Sequence, residues 1–195
     1  MWNLPLSEIV ATLEIQPDDN FSGLTTRLNQ SNAVHAAELR SFAQTYETEL
    51  EGAIDLHGHL ATEVFRDMAE RDNVTPLARD SAEWQAAVNE SKSLLLAEFA
   101  NEETKKALRT IHIQTALHAN LRWDKRRQFE GNDFFDFNHA AAALGYCDAF
   151  FTERSLRNLA TMTNVALDRI NNCRVTSDIE GAVRIVKELD ASHRL

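Results

Sequence analysis

The stretch Asn132-Asp133-Phe134-Phe135-Asp136-Phe137-Asn138-His139, continued by Tyr146-Cys147-Asp148-Ala149-Phe150-Phe151-Thr152-Glu153-Arg154, decides the fold. An alanine-rich run joins its two parts. Residues 133–144 read as a helix closed by Gly145, and Ala149–Thr152 as a short apolar strand bounded by Asp148 and Glu153. The chain then repeats the alternation. Arg154–Met162 and about 164–170 read as helix, Cys173–Thr176 as a second strand, and about 178–189 as a last helix with Ser177 at its N-cap. Helix and strand alternating over some 60 residues imply a parallel α/β layer, since parallel strands need crossover helices.

Upstream, the chain is helix-forming. Ser31 or Asn32 opens a long helix to about Arg71, with apolar steps of three and four, and Gly52 and Gly58 as points of division. Asp72–Pro76 breaks the pattern. Further helices are expected over 76–99 and 102–128, the latter ended by Gly131 as a C′ glycine. Residues 4–10 read as a short strand or the lead into a helix, and 17–20 as a loop. The chain divides into an N-terminal segment (1–30), a long-helix insertion or lid (31–130) and an α/β part (131–195) within one structural domain. The expected fold class is α/β, predominantly helical, with a small parallel sheet and a large helical insertion.

Composition narrows the function. With 6 Gly and 3 Pro in 195 residues, the chain lacks the turn residues of an all-β fold. No apolar run approaches the roughly 18–20 residues of a membrane span. The N-terminus has neither the basic nor the apolar region of a signal peptide, so a cytoplasmic location is expected. Cys147 and Cys173 lie in apolar contexts without CxxC spacing and read as buried, reduced thiols. A net charge of −10 argues against broad attraction to nucleic acid. Arg122, Lys125, Arg126 and Arg127 nevertheless form a local basic cluster ahead of the acidic stretch. They serve either as nucleic-acid contacts or as helix-end cations matched to the dipole.

The acids carry the chemistry. Asp133 and Asp136 are one turn apart on a helix, and His139 follows a turn later on the same face. Glu153 sits beyond the carboxyl end of its strand, where ligands of open α/β sheets gather. Carboxylates brought together there repel unless a cation or proton lies between them. Oxygen donors favour Mg²⁺ or Mn²⁺, which can activate water against a phosphodiester. Each residue also has an ordinary reading: Asp133 and Asp136 as caps, Asp148 as a turn residue, Glu153 as a cap or ion-pair partner, His139 as a packed histidine. The histidines His57, His59, His112 and His118 have spacings that place them on different faces, and they read as scattered.

Asp136-x-x-His139, the alanine-rich helix, Tyr146-Cys147-Asp148 and Phe150-Phe151-Thr152-Glu153 resemble the C-terminal half of a PIN-like (PilT N-terminus) nuclease domain. The resemblance covers about residues 130–190. It implies a metal-dependent ribonuclease acting on single-stranded RNA, with Asp136 and Glu153 on the metal. Asp133 and Asp148 would be supporting acids, and His139 and Thr152 would lie nearby. The family's first strand, bearing its first catalytic Asp, has no match; Glu8 or Glu14 stand as weak counterparts of a later acid. The alternative is a catalytically degenerate domain that binds a protein partner through residues 31–128.

Overall fold

A computed structural model describes residues 22–192. The expected strand at 4–10, the loop at 17–20, Glu8 and Glu14 lie outside the described residues. The described part is predominantly helical, with one small parallel sheet. Its elements are α1 (Ser22–His35), α2 (Phe42–His57), α3 (His59–Arg71), α4 (Ala82–Glu98), α5 (Glu102–Ala107), α6 (Arg109–Trp123), α7 (Asp133–Tyr146), β1 (Ala149–Phe151), α8 (Arg154–Thr161), α9 (Leu167–Ile170), β2 (Arg174–Thr176) and α10 (Ile179–Ser192).

The long helix expected over 31–71 is three helices. The first ends at His35, and Ser41 then caps α2, its hydroxyl accepting the Gln44 N–H at 3.2 Å. Gly58 then separates α2 from α3. A Cβ there would stand 2.5 Å from the Ile54 carbonyl oxygen and 2.7 Å from Cγ of Lys92, so close packing against α4 requires the glycine. The helix expected over 76–99 starts later, at Ser81, whose hydroxyl accepts the Trp84 N–H at 3.0 Å. The one expected over 102–128 is interrupted at Leu108 and ends at Trp123, well before Gly131. Gly145 does not close α7. It lies inside the last turn, buried, with Cγ and Cδ of Arg109 3.3 Å from where a Cβ would stand.

Helix α6 is the centre of the molecule. Ile113, Ala116, Leu117 and Leu121 lie within the main core, while Ala119 and Asn120 are also fully buried. One side of α6 packs on α2 and the other on α7. The main core joins these α6 residues to Phe137, Ala140, Ala141 and Leu144 of α7, Leu156, Leu159 and Ala160 of α8, and Leu167 and Cys173. Leu28, Phe42 and Tyr46 pack against the same cluster, so it draws on both sides of residue 130. Apolar burial on this scale, at roughly 25 cal/mol per Å² of apolar surface, is the main stabilising term.

The buried polar group Asn120 ties the core together. Its Nδ2 donates to the Leu159 carbonyl at 2.8 Å, and its Oδ1 accepts from Asn164 Nδ2 at 2.9 Å. Both ends of the amide are satisfied, which offsets the cost of burying it.

Strands β1 and β2 pair in parallel, with Phe150 opposite Val175. The crossover between them is α8 and α9. The parallel layer read from the sequence is thus present, with two strands of three residues each. Cys173 is buried, and burial pushes its thiol up to about 11. Cys147 is exposed, contrary to the expectation of two buried thiols, because it follows α7 at the surface turn into β1.

Candidate functional site

Helix α7 passes into β1 through only Cys147 and Asp148, and the two elements pack together, so they run antiparallel. The first turn of α7 therefore lies at the end of the sheet where β1 finishes. From Asp136 to the end of α7 is about 15 Å of helix. From Ala149 to Glu153 is about 13 Å of extended chain. Asp136 and Glu153 consequently occupy the same end of the α/β layer.

Their environments differ. Glu153 is exposed at the N-cap position of α8, yet its side chain makes no capping hydrogen bond. Asp136 is half-buried and accepts a hydrogen bond from Asn132 Nδ2 at 3.1 Å. Asp133 is buried at 6% exposure, and both of its oxygens are engaged. One accepts from the Arg127 guanidinium at 2.8 Å and the other from the Glu130 backbone N–H at 2.8 Å. Asp133 thus fastens the loop after α6 to the start of α7. His139 and Asp148 are exposed, and Thr152 is half-buried with its backbone N–H bonded to the Thr176 carbonyl.

The basic cluster is mostly committed to holding the fold. Arg122 pairs with Glu49 at 2.7 Å in a largely buried link between α6 and α2. Lys125 donates to the Ala36 carbonyl at 2.7 Å, and Arg127 holds Asp133. Arg126 alone of the four has an almost fully exposed side chain, in a loose 3.5 Å contact with Asp124.

A third acid stands beyond the sheet that the sequence reading did not single out. Asp178 follows β2 and caps α10, the part expected of Ser177. Its carboxylate accepts from the Gly181 N–H at 2.6 Å and from the Thr176 hydroxyl at 2.9 Å. Those two bonds hold its carboxyl below the usual range. The signal was in the sequence, since Asp at N-cap is as favourable as Ser. Among the described residues, no three His, Cys, Asp or Glu side chains gather as a metal-holding group.

A second polar constellation lies on the other side of α6. The Tyr46 hydroxyl and Nδ1 of His112 share a hydrogen bond of 2.7 Å. His112 is 7% exposed, and its Nε2 has no hydrogen-bond partner among the described residues. Burial, reinforced by the Lys105 charge, lowers its pKa to about 4, so it is neutral at pH 7. Burial raises the Tyr46 phenol well above its ordinary value, and Glu102 adds to the effect. The pair lines a cavity of about 320 Å³, with Glu102 and Lys105 also in its wall. No sequence signal could have found it, because the two residues are 66 apart and meet only when α2 packs on α6. His118 sits elsewhere, its ring 4.9 Å from that of Phe137 and 5.3 Å from that of Phe129. Burial lowers its pKa also.

No known family, curated protein or solved structure matches the chain.

Proposed function

We propose that the α7–β1–α8–β2–α10 unit is a PIN-like nuclease half, with Asp136 and Glu153 the carboxylates that face a divalent metal during RNA cleavage. The carrying observation is Glu153: an exposed carboxylate directly beyond a parallel strand, at the N-cap of α8, with no capping bond to occupy it. The antiparallel run of α7 into β1, which brings Asp136 to the same end, also supports the reading. Carboxylate oxygens suit Mg²⁺ or Mn²⁺. Mg²⁺ commonly takes only one or two carboxylates and fills its remaining positions with water and phosphate oxygens. Two acids therefore fit such an ion, although no group of three is present among the described residues. When bound, the metal would supply an activated water and charge neutralisation at the phosphodiester.

Within this reading the chain's residues divide their work. Asp136 and Glu153 bind the cation. Asn132 orients Asp136 by its hydrogen bond. Asp133 positions the first turn of α7 through Arg127 rather than facing the metal, and Asp178 fixes the start of α10. Arg126 is the cation best placed by exposure to meet an RNA phosphate, while Arg122, Lys125 and Arg127 shape the surface around it. His139, Asp148 and Thr152 are accessory, on exposed or half-buried positions nearby. The test is Mn²⁺-dependent cleavage of single-stranded RNA by the full chain. Glu153→Gln and Asp136→Asn are each expected to abolish it. Undiminished cleavage by both variants would remove the assignment.

A second reading rests on a different observation. Leu56, Leu60, Val64, Phe65 and Met68 are each more than half exposed along α2 and α3. An apolar stripe of this length supports a protein-binding role for the helical part, with the α/β unit catalytically silent. In that case Mn²⁺ gives no thermal shift, and Val64→Asp leaves the fold intact while removing partner binding.

A further inference from the structure

Helix α10 has two apolar sides. Gly181 and Ile185 are buried against the sheet, and Thr176 of β2 lies against Gly181. A second stripe, Ile179, Val183 and Val186, runs down its flank at 83%, 48% and 52% exposure. Spacings of four and three put these residues on one line. A helix that is apolar on more than its core-facing side is expected to pack against something further.

The sheet gives the same indication. Phe150 and Val175 turn toward the main core. Phe151, paired with Thr176, alternates to the α10 side of the sheet and is 47% exposed. Parallel sheets are normally covered by helices on both faces. Among the described residues, α10 packs on β2 and contributes Gly181 against Thr176 on this face.

We infer that this flank is a self-association surface, in which a second copy of the chain packs its own α10 antiparallel beside the first. The charges on the helix select this occupant. Glu180 and Lys187 are two turns apart beside the apolar stripe, and neither forms an ion pair among the described residues. An antiparallel pair crossing at Val183 sets Glu180 opposite the partner's Lys187, and Lys187 opposite the partner's Glu180. Val183 then meets its own counterpart. A twofold arrangement of this kind makes every favourable contact twice. In a parallel pair each flank instead faces the partner's opposite flank, so Glu180 and Lys187 of the two copies would not meet. Three exposed apolar side chains per copy are a small contact beside the roughly 20–30 residues a side of a standard interface, so the dimer is weak and forms as concentration rises.

The test is sedimentation velocity on the full chain across a concentration series reaching about 1 mM, the weak end of specific association. Wild type is expected to shift from monomer to dimer. Val183→Asp raises the dissociation constant at least about tenfold, equivalent to 1.4 kcal/mol. Glu180→Lys weakens the dimer, and adding Lys187→Glu to it restores association. Val64→Asp, on the separate α3 stripe, leaves the dimer unchanged. Ile179→Lys, at a more exposed position, repeats the test if Val183→Asp loses helical signal. A chain monomeric throughout the series overturns the inference. So does a dimer that both α10 substitutions leave intact, or one that Val64→Asp dissociates.

Discussion

Acidification gives a direct test of the Tyr46–His112 pair. An unfolded histidine titrates near 6.5, whereas burial holds His112 at about 4. The folded state thus binds fewer protons than the unfolded state between these values. Folding stability is complete above about pH 6.5 and falls as the pH drops toward 4. Each pKa unit corresponds to about 1.36 kcal/mol, so the full loss approaches about 3.4 kcal/mol below pH 4. At pH 5, about 1.5 of the 2.5 units have been traversed, and the loss is about 2 kcal/mol. His112→Gln removes the titration while keeping a hydrogen-bonding group beside Tyr46. Urea unfolding of both proteins at pH 7 and pH 5 measures the effect. Wild type should lose about 2 kcal/mol more than the variant over this interval, since every other titrating group is common to both. Equal pH dependence in the two proteins would refute the reasoning. A His112 imidazole resonance titrating near 6.5 in the folded protein would do the same.

Other consequences follow from the packing. Asn120→Ala leaves the Leu159 carbonyl and the Asn164 amide without their partner and opens a small void, so it should cost about 2–3 kcal/mol in denaturant unfolding. Asp133→Ala should destabilise the chain by about 1–3 kcal/mol through the stranded Arg127 and Glu130 groups, whether or not the chain cleaves RNA. Ser81→Ala should cost about 1 kcal/mol, read as a lower urea midpoint with unchanged m-value. In the native protein a thiol reagent should modify Cys147 promptly and Cys173 only after unfolding; equal rates at both would contradict their placement.

Much of the architecture was legible in local sequence. The alternation after Gly131 gave the order helix, strand, helix, strand, helix, and each of those elements is present within a few residues. Helix ends upstream were less legible. Ser41 and Ser81 are good N-caps inside what read as continuous helix or its lead-in, and capping won over periodicity because it satisfies otherwise orphaned backbone N–H groups. Gly145 read as a terminator, yet its position in the last turn is fixed by contact with Arg109, a residue 36 positions away. The interruption at Leu108 has no glycine or proline to announce it.

For the candidate site, the sequence by itself determined which carboxylates stand at which element ends. Asp136 in the first turn of α7 and Glu153 just beyond β1 follow from helix and strand periods that depend only on nearby residues. What those groups touch was decided by tertiary structure alone. Asp133 became a buried fastener because Arg127 folds back on it, and three of the four clustered cations became structural because α1–α2 and α7 approach them. The Tyr46–His112 pair exists only where two distant helices meet. The physical reason is range. Propensity and capping act within a turn or two of the chain, whereas desolvation and ion pairing depend on whatever the fold brings alongside.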